Sequence, residues 1–327
     1  MLNFRENTLK KLQKWSEIVK LPNLEIIKLL YLWRPMEQKK FVDVEKVLKE
    51  KAHRLYQWLP RFAINWLKKK LHEEDINRIM VTLKDDRGLE FNRKGLNALG
   101  ARVESVHSEN IPTTGKVTFV SNHPLGGLDG MALIKAVGEV RPDVIFFVND
   151  ILKNIDNYGD VFVAVNKVGV VSARSLRTME DVFRNGGAVL IFPAGLVSRK
   201  RNGLVRDLKW RKSFVTQSID HKRQVVPVFI EGENSKFFYN FALWRKRLGI
   251  KANIEMLYLP DEMFRADKKD IRIHFGKPFS YEVFDQSKTH GQWAHLFYKY
   301  IYSPEFMKGV TFEEYTQNHL VTKEVSS

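Results

Sequence analysis

Cysteine is absent from this chain of 327 residues, and so is any long apolar run. Without cysteine there are no disulfides, no thiolate metal sites and no cysteine nucleophile, a composition compatible with a reducing compartment. A membrane-spanning helix needs about 20 mostly apolar residues, whereas the longest candidates, such as residues 26–33, are interrupted by lysine. The N-terminal segment also lacks the apolar centre of a secretory signal. We therefore expect a cytoplasmic protein without a spanning segment.

The motifs of several common enzyme classes are missing as well. No HExxH is present, and His290 and His295 are five residues apart rather than the four of a helical metal site, so no metal is expected. GxSxG is absent, and Gly115 and Lys116 lack the upstream glycine of a phosphate loop, which excludes a serine hydrolase of that type and a P-loop NTPase. Neither zinc-finger spacing nor an RNA-reading aromatic motif appears, so we expect no nucleic-acid partner.

The formal net charge of +16 at pH 7 favours acidic partners. Nucleic acid, anionic lipid head groups and acyl carrier protein all have the required charge. The basic residues form short clusters at 68–70, 199–201, 211–212 and 245–247, and Trp66, Trp210 and Trp244 lie in or beside such clusters. Tryptophan next to Lys and Arg is typical of a membrane interface, although solvated helix faces share the pattern. We expect a peripheral protein on an anionic membrane surface, the inner face of the cell membrane.

The residue pattern changes near position 90. In residues 1–90, apolar side chains recur at helical spacing, from Leu9 to Val19 and again from Leu55 to Trp66. This predicts an N-terminal helical region, whose helices we expect mainly to pack on the rest of the chain, with an interfacial membrane helix as the alternative.

Residues 91–327 alternate between strand-like and helix-like runs, which predicts an α/β domain with a central, mostly mixed sheet flanked by helices. The strand-like runs are 117–121, 144–148, 161–165, 188–192, 225–230 and 271–275, and helical runs include 129–137 and 213–219.

One short turn, residues 122–130 with the sequence NHPLGGLDG, places a histidine and a carboxylate between a strand and a helix. Histidine exchanges a proton near neutral pH because its free pKa is about 6.5, and a carboxylate can orient its ring. His123 and Asp129 are therefore a candidate base and its partner, while Gly126 and Gly127 let the chain fold back so that backbone amides face an oxyanion. The alternative is a surface turn with Asp129 as helix cap.

Three more blocks follow in order: VGVVSAR ending at Arg174, IFPAG ending at Gly195, and VVPVFIEG ending at Gly232. With NHPLGGLDG they resemble the glycerolipid acyltransferase superfamily, over roughly residues 91–281. Within the superfamily, the sequence of these blocks is similar to that of the bacterial hemolysin-like branch, which includes glycine-lipid and lyso-ornithine-lipid O-acyltransferases. The segment RDLKWRKSF from Arg206 adds to this resemblance.

Two departures from the superfamily pattern bear on function. Five residues rather than four separate His123 from Asp129, and Leu128 occupies the usual carboxylate position. We assign Asp129 on the expectation that Gly126 and Gly127 absorb the extra residue as a bulge. Ala194 occupies the position at which the phosphatidic-acid enzymes have a glutamate. In those enzymes the glutamate is associated with the glycerol-phosphate acceptor, so its absence here disfavours that acceptor.

The resemblance implies transfer of an acyl group from an acyl carrier protein or coenzyme A thioester to the hydroxyl of a lipid acceptor, without a further cofactor. In this reading His123 is the general base, Asp129 orients it and Arg174 grips an anionic acceptor group. The expected substrate-binding residues are Asn122, Gly126, Gly127, Arg174, Phe192, Pro193, Gly195 and Arg199.

The acceptor favoured by the sequence is a monoacylated amino-acid lipid. The alternative within the same chemistry is a 1-acylglycerol-3-phosphate acyltransferase. The alternative outside it is a non-catalytic basic protein that binds membrane or nucleic acid.

Overall fold

A seven-stranded sheet forms the centre of the protein, whose computed structural model describes residues 40–51, 53–148, 155–164, 173–249, 253–265 and 270–324. Its middle strands are built from β-branched and aromatic residues, the types that fit a pleated surface. The strands are β1 (Arg102–Val106), β2 (Val117–Ser121), β3 (Val144–Val148), β4 (Phe162–Ala164), β5 (Ala188–Ile191), β8 (Gln224–Ile230) and β9 (Asp270–Phe275), with β6 (Arg199–Arg201) and β7 (Leu204–Arg206) forming a separate antiparallel hairpin.

The strand order is β1-β9-β8-β2-β5-β3-β4, and every neighbouring pair is parallel except β8 with β9, which is antiparallel. Strand β2 therefore lies between two parallel neighbours, and all five of its residues are buried. In open α/β sheets, sites lie beyond the carboxyl ends of such central strands. The turn that follows β2 is thus placed at the edge of the sheet where a site is expected.

Helices cover the sheet. They are α1 (Val44–Lys51), α2 (His53–Trp58), α3 (Arg61–Lys70), α4 (Glu73–Thr82), α5 (Gly88–Ala98), α6 (Gly127–Gly138), α7 (Ala173–Asn185), α8 (Ser213–Asp220), α9 (Lys236–Arg247), α10 (Leu259–Phe264), α11 (His290–Ile301), α12 (Pro304–Met307) and α13 (Phe312–Glu324). None of the helices in the described ranges is both long and apolar enough to span a bilayer.

Two apolar clusters fill the two faces of the sheet. Phe119 belongs to the cluster that contains Leu133 of α6, whereas its neighbour Val120 belongs to the cluster of Phe214 in α8 and Phe297 in α11. This alternation follows from the two-residue period of a strand, which sends successive side chains to opposite faces. The turn after β2 therefore continues from a strand that is fixed by packing on both sides.

The fully buried Arg223 ties the sheet together at the end opposite the turn. Its guanidinium donates hydrogen bonds to four backbone carbonyls and to the Thr118 hydroxyl, at 2.6–3.0 Å; the carbonyls belong to Val117, Phe183, Gly186 and Gly187. Burial lowers the pKa of Arg223 to about 10. These bonds join the segment before β5 to β2.

The predicted α/β fold with a mixed central sheet is confirmed, and all six predicted strands are present with shifts of at most one residue at an end. The predicted helices at 129–137 and 213–219 correspond to α6 and α8. Strand β1 and the β6–β7 hairpin were not predicted, because the charged residues of both interrupt any apolar pattern.

The N-terminal prediction has a mixed outcome. The run from Leu9 to Val19 lies outside the described residues, and the domain boundary at residue 90 stays a prediction. The later run forms α2 and α3, separated at Pro60. The expectation that its apolar side chains pack inward is wrong for three of them: Trp58, Phe62 and Trp66 are 88%, 76% and 50% exposed, and Ile64 is the buried residue of α3.

Candidate active site

The turn between β2 and α6 is fixed at its start by Asn122. This side chain is buried, and its amide donates to the carbonyl of Ile230 (2.9 Å) while its oxygen accepts from the Ile230 amide (2.7 Å). Ile230 ends β8, the strand beside β2. The residue before His123 is therefore bonded twice to the neighbouring strand, and substrate binding by Asn122 stays a prediction.

His123 and Asp129 meet across the turn. The Nδ1 atom of His123 lies 2.8 Å from Oδ2 of Asp129, whose carboxylate is fully buried. The same oxygen accepts hydrogen bonds from the backbone amides of Leu125 (2.7 Å) and Gly126 (2.9 Å). The carboxylate thus holds the ring and the backbone of the turn together, in the first turn of α6, where the helix dipole favours a negative charge.

This arrangement determines which ring nitrogen of His123 is available. An ionised carboxylate only accepts hydrogen bonds, so a neutral His123 ring beside ionised Asp129 carries its proton on Nδ1 and has a free lone pair on Nε2. Within the described part of the chain Nε2 has no hydrogen-bond partner, and the side chain is 17% exposed. A partly exposed imidazole with a basic Nε2 can accept a proton from a bound hydroxyl group.

Gly126 adopts a backbone conformation that suits the bulge expected at Gly126 and Gly127. Its backbone has φ 86° and ψ −127°, a conformation that only glycine adopts without strain, and α6 begins at the next residue, Gly127. A Cβ atom on Gly126 would lie 3.2 Å from Cδ2 of Leu259 and 3.4 Å from Cγ1 of Val197. Leu128, in the usual carboxylate position, is buried in the apolar core.

The expectation that backbone amides at Gly126 and Gly127 face an oxyanion is wrong for the amide of Gly126, which is bonded within the turn, as is that of Leu125. Both amides donate to Asp129 Oδ2. Asp129 is the third residue of α6 and bonds the amide of Gly126 just before the helix, so the alternative role of a helix cap is also present.

The IFPAG block forms the next wall of the site. The ring of Phe192 stacks on the imidazole of His123, with centroids 4.3 Å apart and planes within 10°, and its edge meets Phe146. After it, the chain turns at Gly195, which has φ 67°, and Ser198 donates its backbone N–H to the carbonyl of His123 (2.8 Å). The block therefore contacts the ring of the candidate base, and Ser198, three residues after the block, contacts its backbone.

Asp207 is a functional candidate that the sequence analysis missed. Its buried carboxylate accepts from the backbone N–H of His123 (3.2 Å), from the Ser198 hydroxyl and from the indole of Trp210 (2.8 Å). Burial raises the pKa of this carboxyl, although the hydrogen bonds from Ser198 and Trp210 oppose the shift. The available signal was its position as the one acidic residue of segment 199–212.

Two further predicted site residues, Pro193 and Arg199, are both buried and bonded to other parts of the chain. Pro193 is buried and its carbonyl accepts from the amide of Arg211. Arg199 is buried with its guanidinium bonded to the Val197 carbonyl (2.7 Å) and to Glu255 (2.8 Å); burial lowers its pKa, and Glu255 opposes that shift. These contacts give Arg199 a structural role. That Arg199 binds substrate stays a prediction.

Arg174 lies in the first turn of α7, and its side chain is outside the described part of the structure. Ala194 is buried in the apolar cluster of Phe214 and Trp210, where an unpaired carboxylate would be costly. Within the described ranges, no group of three or more His, Asp or Glu side chains is placed to hold a metal ion.

Comparison with known proteins identifies the family. The model of the family described as acyltransferase matches residues 46–302, about four-fifths of the chain, so the chain belongs to this family. The resemblance drawn from the four blocks is confirmed. The protein is an acyltransferase, so the alternative of a non-catalytic basic binding protein is wrong.

Two curated relatives are both named lyso-glycine lipid O-acyltransferase. The protein from Bacteroides thetaiotaomicron is 44% identical over 254 residues, which cover 77% of this chain and 93% of the relative. The protein from Phocaeicola vulgatus is 42% identical over 262 residues, 80% of this chain and 94% of the relative. Among solved structures, the 1-acyl-sn-glycerophosphate (LPA) acyltransferase PlsC from Thermotoga maritima is similar over 79% of this chain and 90% of its own, with a TM-score of 0.43 and 17% identity.

The backbone conformation of Gly126 predicts a specific sensitivity. Gly126→Ala should lower the free energy of unfolding by about 1–3 kcal/mol and should also lower kcat, since relief of the contact with Leu259 shifts the turn that carries His123. Gly203→Ala is the matched control, because Gly203 has a similar φ of 81° but nothing within 4 Å of its would-be Cβ. Urea unfolding and initial rates measure both effects. Equal kcat in the two variants would contradict this role for Gly126.

Proposed function

We propose that the protein transfers a fatty acyl group from a thioester to the hydroxyl of a lyso-glycine lipid. The observation that carries the proposal is the His123–Asp129 pair, with Nδ1 bonded to a buried carboxylate and Nε2 available on the open side. The acyltransferase family and the names of the two relatives support the reaction class and the acceptor.

The proposed chemistry needs only this base. Nε2 of His123 takes the proton of the acceptor hydroxyl as the oxygen attacks the thioester carbonyl and forms the new C–O bond. The tetrahedral intermediate then collapses, the C–S bond breaks, and the departing thiolate takes the proton from the imidazolium. Asp129 stabilises the imidazolium between these steps. No covalent enzyme intermediate is required, because the thioester is already activated.

The donor is an acyl carrier protein or coenzyme A thioester. Both carriers are acidic, and the net charge of +16 favours the approach of either one. The charge does not choose between them, so a donor assay with both carriers decides.

One residue supports an amino-acid lipid over lysophosphatidic acid as the acceptor. Ala194 replaces the glutamate associated with glycerol-phosphate acceptors, and its apolar surroundings fit an uncharged side chain. Arg174 provides a planar guanidinium that suits a carboxylate or a phosphate, so it could grip either acceptor.

The paired roles of His123 and Asp129 predict a non-additive mutant series. His123→Ala should abolish measurable transfer, and Asp129→Asn should lower kcat by about 10²–10⁴-fold because the ring loses the charge that orients it. The double variant should be no slower than His123→Ala, since the effect of Asp129 on proton transfer passes through the histidine ring. Initial rates with an acyl thioester test this. Full activity of His123→Ala would overturn the mechanism.

Acceptor choice predicts a second kinetic result. The enzyme should show a higher kcat/KM for lyso-glycine lipid than for lysophosphatidic acid. Arg174→Lys should raise the acceptor KM and leave the donor KM nearly unchanged, because lysine keeps the charge but loses the bidentate fork. Arg184→Lys, on the same helix and 56% exposed beside Glu180, is the matched control. A preference for lysophosphatidic acid would overturn the acceptor assignment while leaving the His123 chemistry intact.

A further inference from the structure

Five aromatic rings from three separate segments form one contiguous surface, which we call the aromatic face: Trp66, Phe237, Phe241, Trp244 and Tyr258. The ring of Tyr258 is its centre, with centroids 6.3 Å from Trp66, 5.0 Å from Phe237 and 5.3 Å from Phe241, and Phe241 in turn contacts Trp244 at 6.3 Å.

Much of this face is exposed. Phe237 is 53% exposed, Trp244 55% and Trp66 50%, and Leu257, beside Tyr258 in the chain, is 51% exposed. Phe62 precedes Trp66 by four residues on α3, so it extends the same side of that helix, and it is 76% exposed. A continuous exposed apolar patch of this kind marks an interaction surface.

The charge of the two helices indicates the kind of partner. Helices α3 and α9 each carry four basic residues and no acidic one, with the basic side chains concentrated in the last turn. Lys69, Lys246 and Arg247 are exposed there. Exposed tryptophan beside lysine and arginine suits the head-group region of an anionic bilayer, where the rings insert and the cations meet phosphate.

The structure also corrects which tryptophans take part. Trp210, predicted to mark a membrane-binding cluster, is 5% exposed and belongs to the core. Trp66 and Trp244, far apart in sequence, are joined through Tyr258 and Phe241. In the basic cluster at 199–201, Arg199 does not take part, since it is buried in its bond to Glu255.

The aromatic face adjoins the catalytic turn. Tyr258 is followed by Leu259, the side chain that approaches Gly126, and Met263 of the same helix lies 3.3 Å from the position of a Cβ on Gly127. One short helix, α10, thus separates the exposed rings from the turn that carries His123.

We propose that the aromatic face docks the enzyme on an anionic lipid bilayer and that the acceptor lipid reaches His123 from this side, past α10. The second part rests on the proposed function, whereas the docking itself does not. The two parts can therefore be tested separately.

Docking is tested by co-sedimentation of the inactive His123→Ala protein with phosphatidylcholine vesicles, with and without phosphatidylglycerol. Leu257→Ser and Trp244→Ala should each weaken binding to the phosphatidylglycerol vesicles by about tenfold, and Lys246→Glu with Arg247→Glu by about tenfold or more. The controls are Leu204→Ser, 57% exposed on β7, and Lys308→Glu, exposed after α12. Both controls should bind like the parent protein.

Three results would overturn the docking proposal. They are equal binding to vesicles with and without phosphatidylglycerol, equal weakening by the Leu204→Ser control, and loss of acyl carrier protein binding in the face variants while vesicle binding is unchanged. The last result would assign the face to the donor protein.

Delivery of the acceptor is tested with the active enzyme. Leu257→Ser should lose activity about tenfold on acceptor embedded in anionic vesicles and keep it on acceptor in neutral detergent micelles. Equal loss in both assays would contradict delivery from this face. No activity of the parent enzyme on lyso-glycine lipid in either assay would refute the proposed function and leave the docking result standing.

Discussion

The site depends on one buried carboxylate. Oδ2 of Asp129 accepts from His123 Nδ1 and from the amides of Leu125 and Gly126, all within 2.9 Å. Hydrogen bonds to a charged acceptor are about twice as strong as neutral ones, and here three of them close a turn of seven residues. The same contact fixes the shape of the turn, the tautomer of the histidine and the start of α6.

The rest of the structure holds this turn from outside. Asn122 bonds it to β8, and Asp207 and Ser198 bond the backbone N–H and C=O of His123 from the segment after β5. Phe192 covers one face of the imidazole. The imidazole of His123 is therefore held in place relative to the sheet, which is what the proposed proton transfer over hydrogen-bond distance requires.

The spacing of apolar and polar residues was sufficient to predict those parts of the fold and the site that lie within one short segment of the chain. The apolar runs of β2 and β3 predicted both strands, and the short turn brought His123 and Asp129 together as expected. Contacts that depend on strand order, such as Asn122 with Ile230, needed the assembled sheet. Asp207 was missed for the same reason: it is 84 residues from His123 in sequence. The rings of α3 were predicted to pack inward, but they are exposed. Helical periodicity identifies the apolar side of a helix but not whether another element covers that side.

The central claim is that Asp129 holds the proton of His123 on Nδ1 and leaves Nε2 as the base. Nitrogen-15 NMR of the histidine rings at a pH of about 8, where free imidazole is neutral, measures this directly, with His123→Gln identifying the resonance. The account predicts a ring protonated at Nδ1, with Nε2 showing the shift of an unprotonated nitrogen. A ring protonated at Nε2 would contradict it, since that nitrogen could not accept a proton from a substrate hydroxyl.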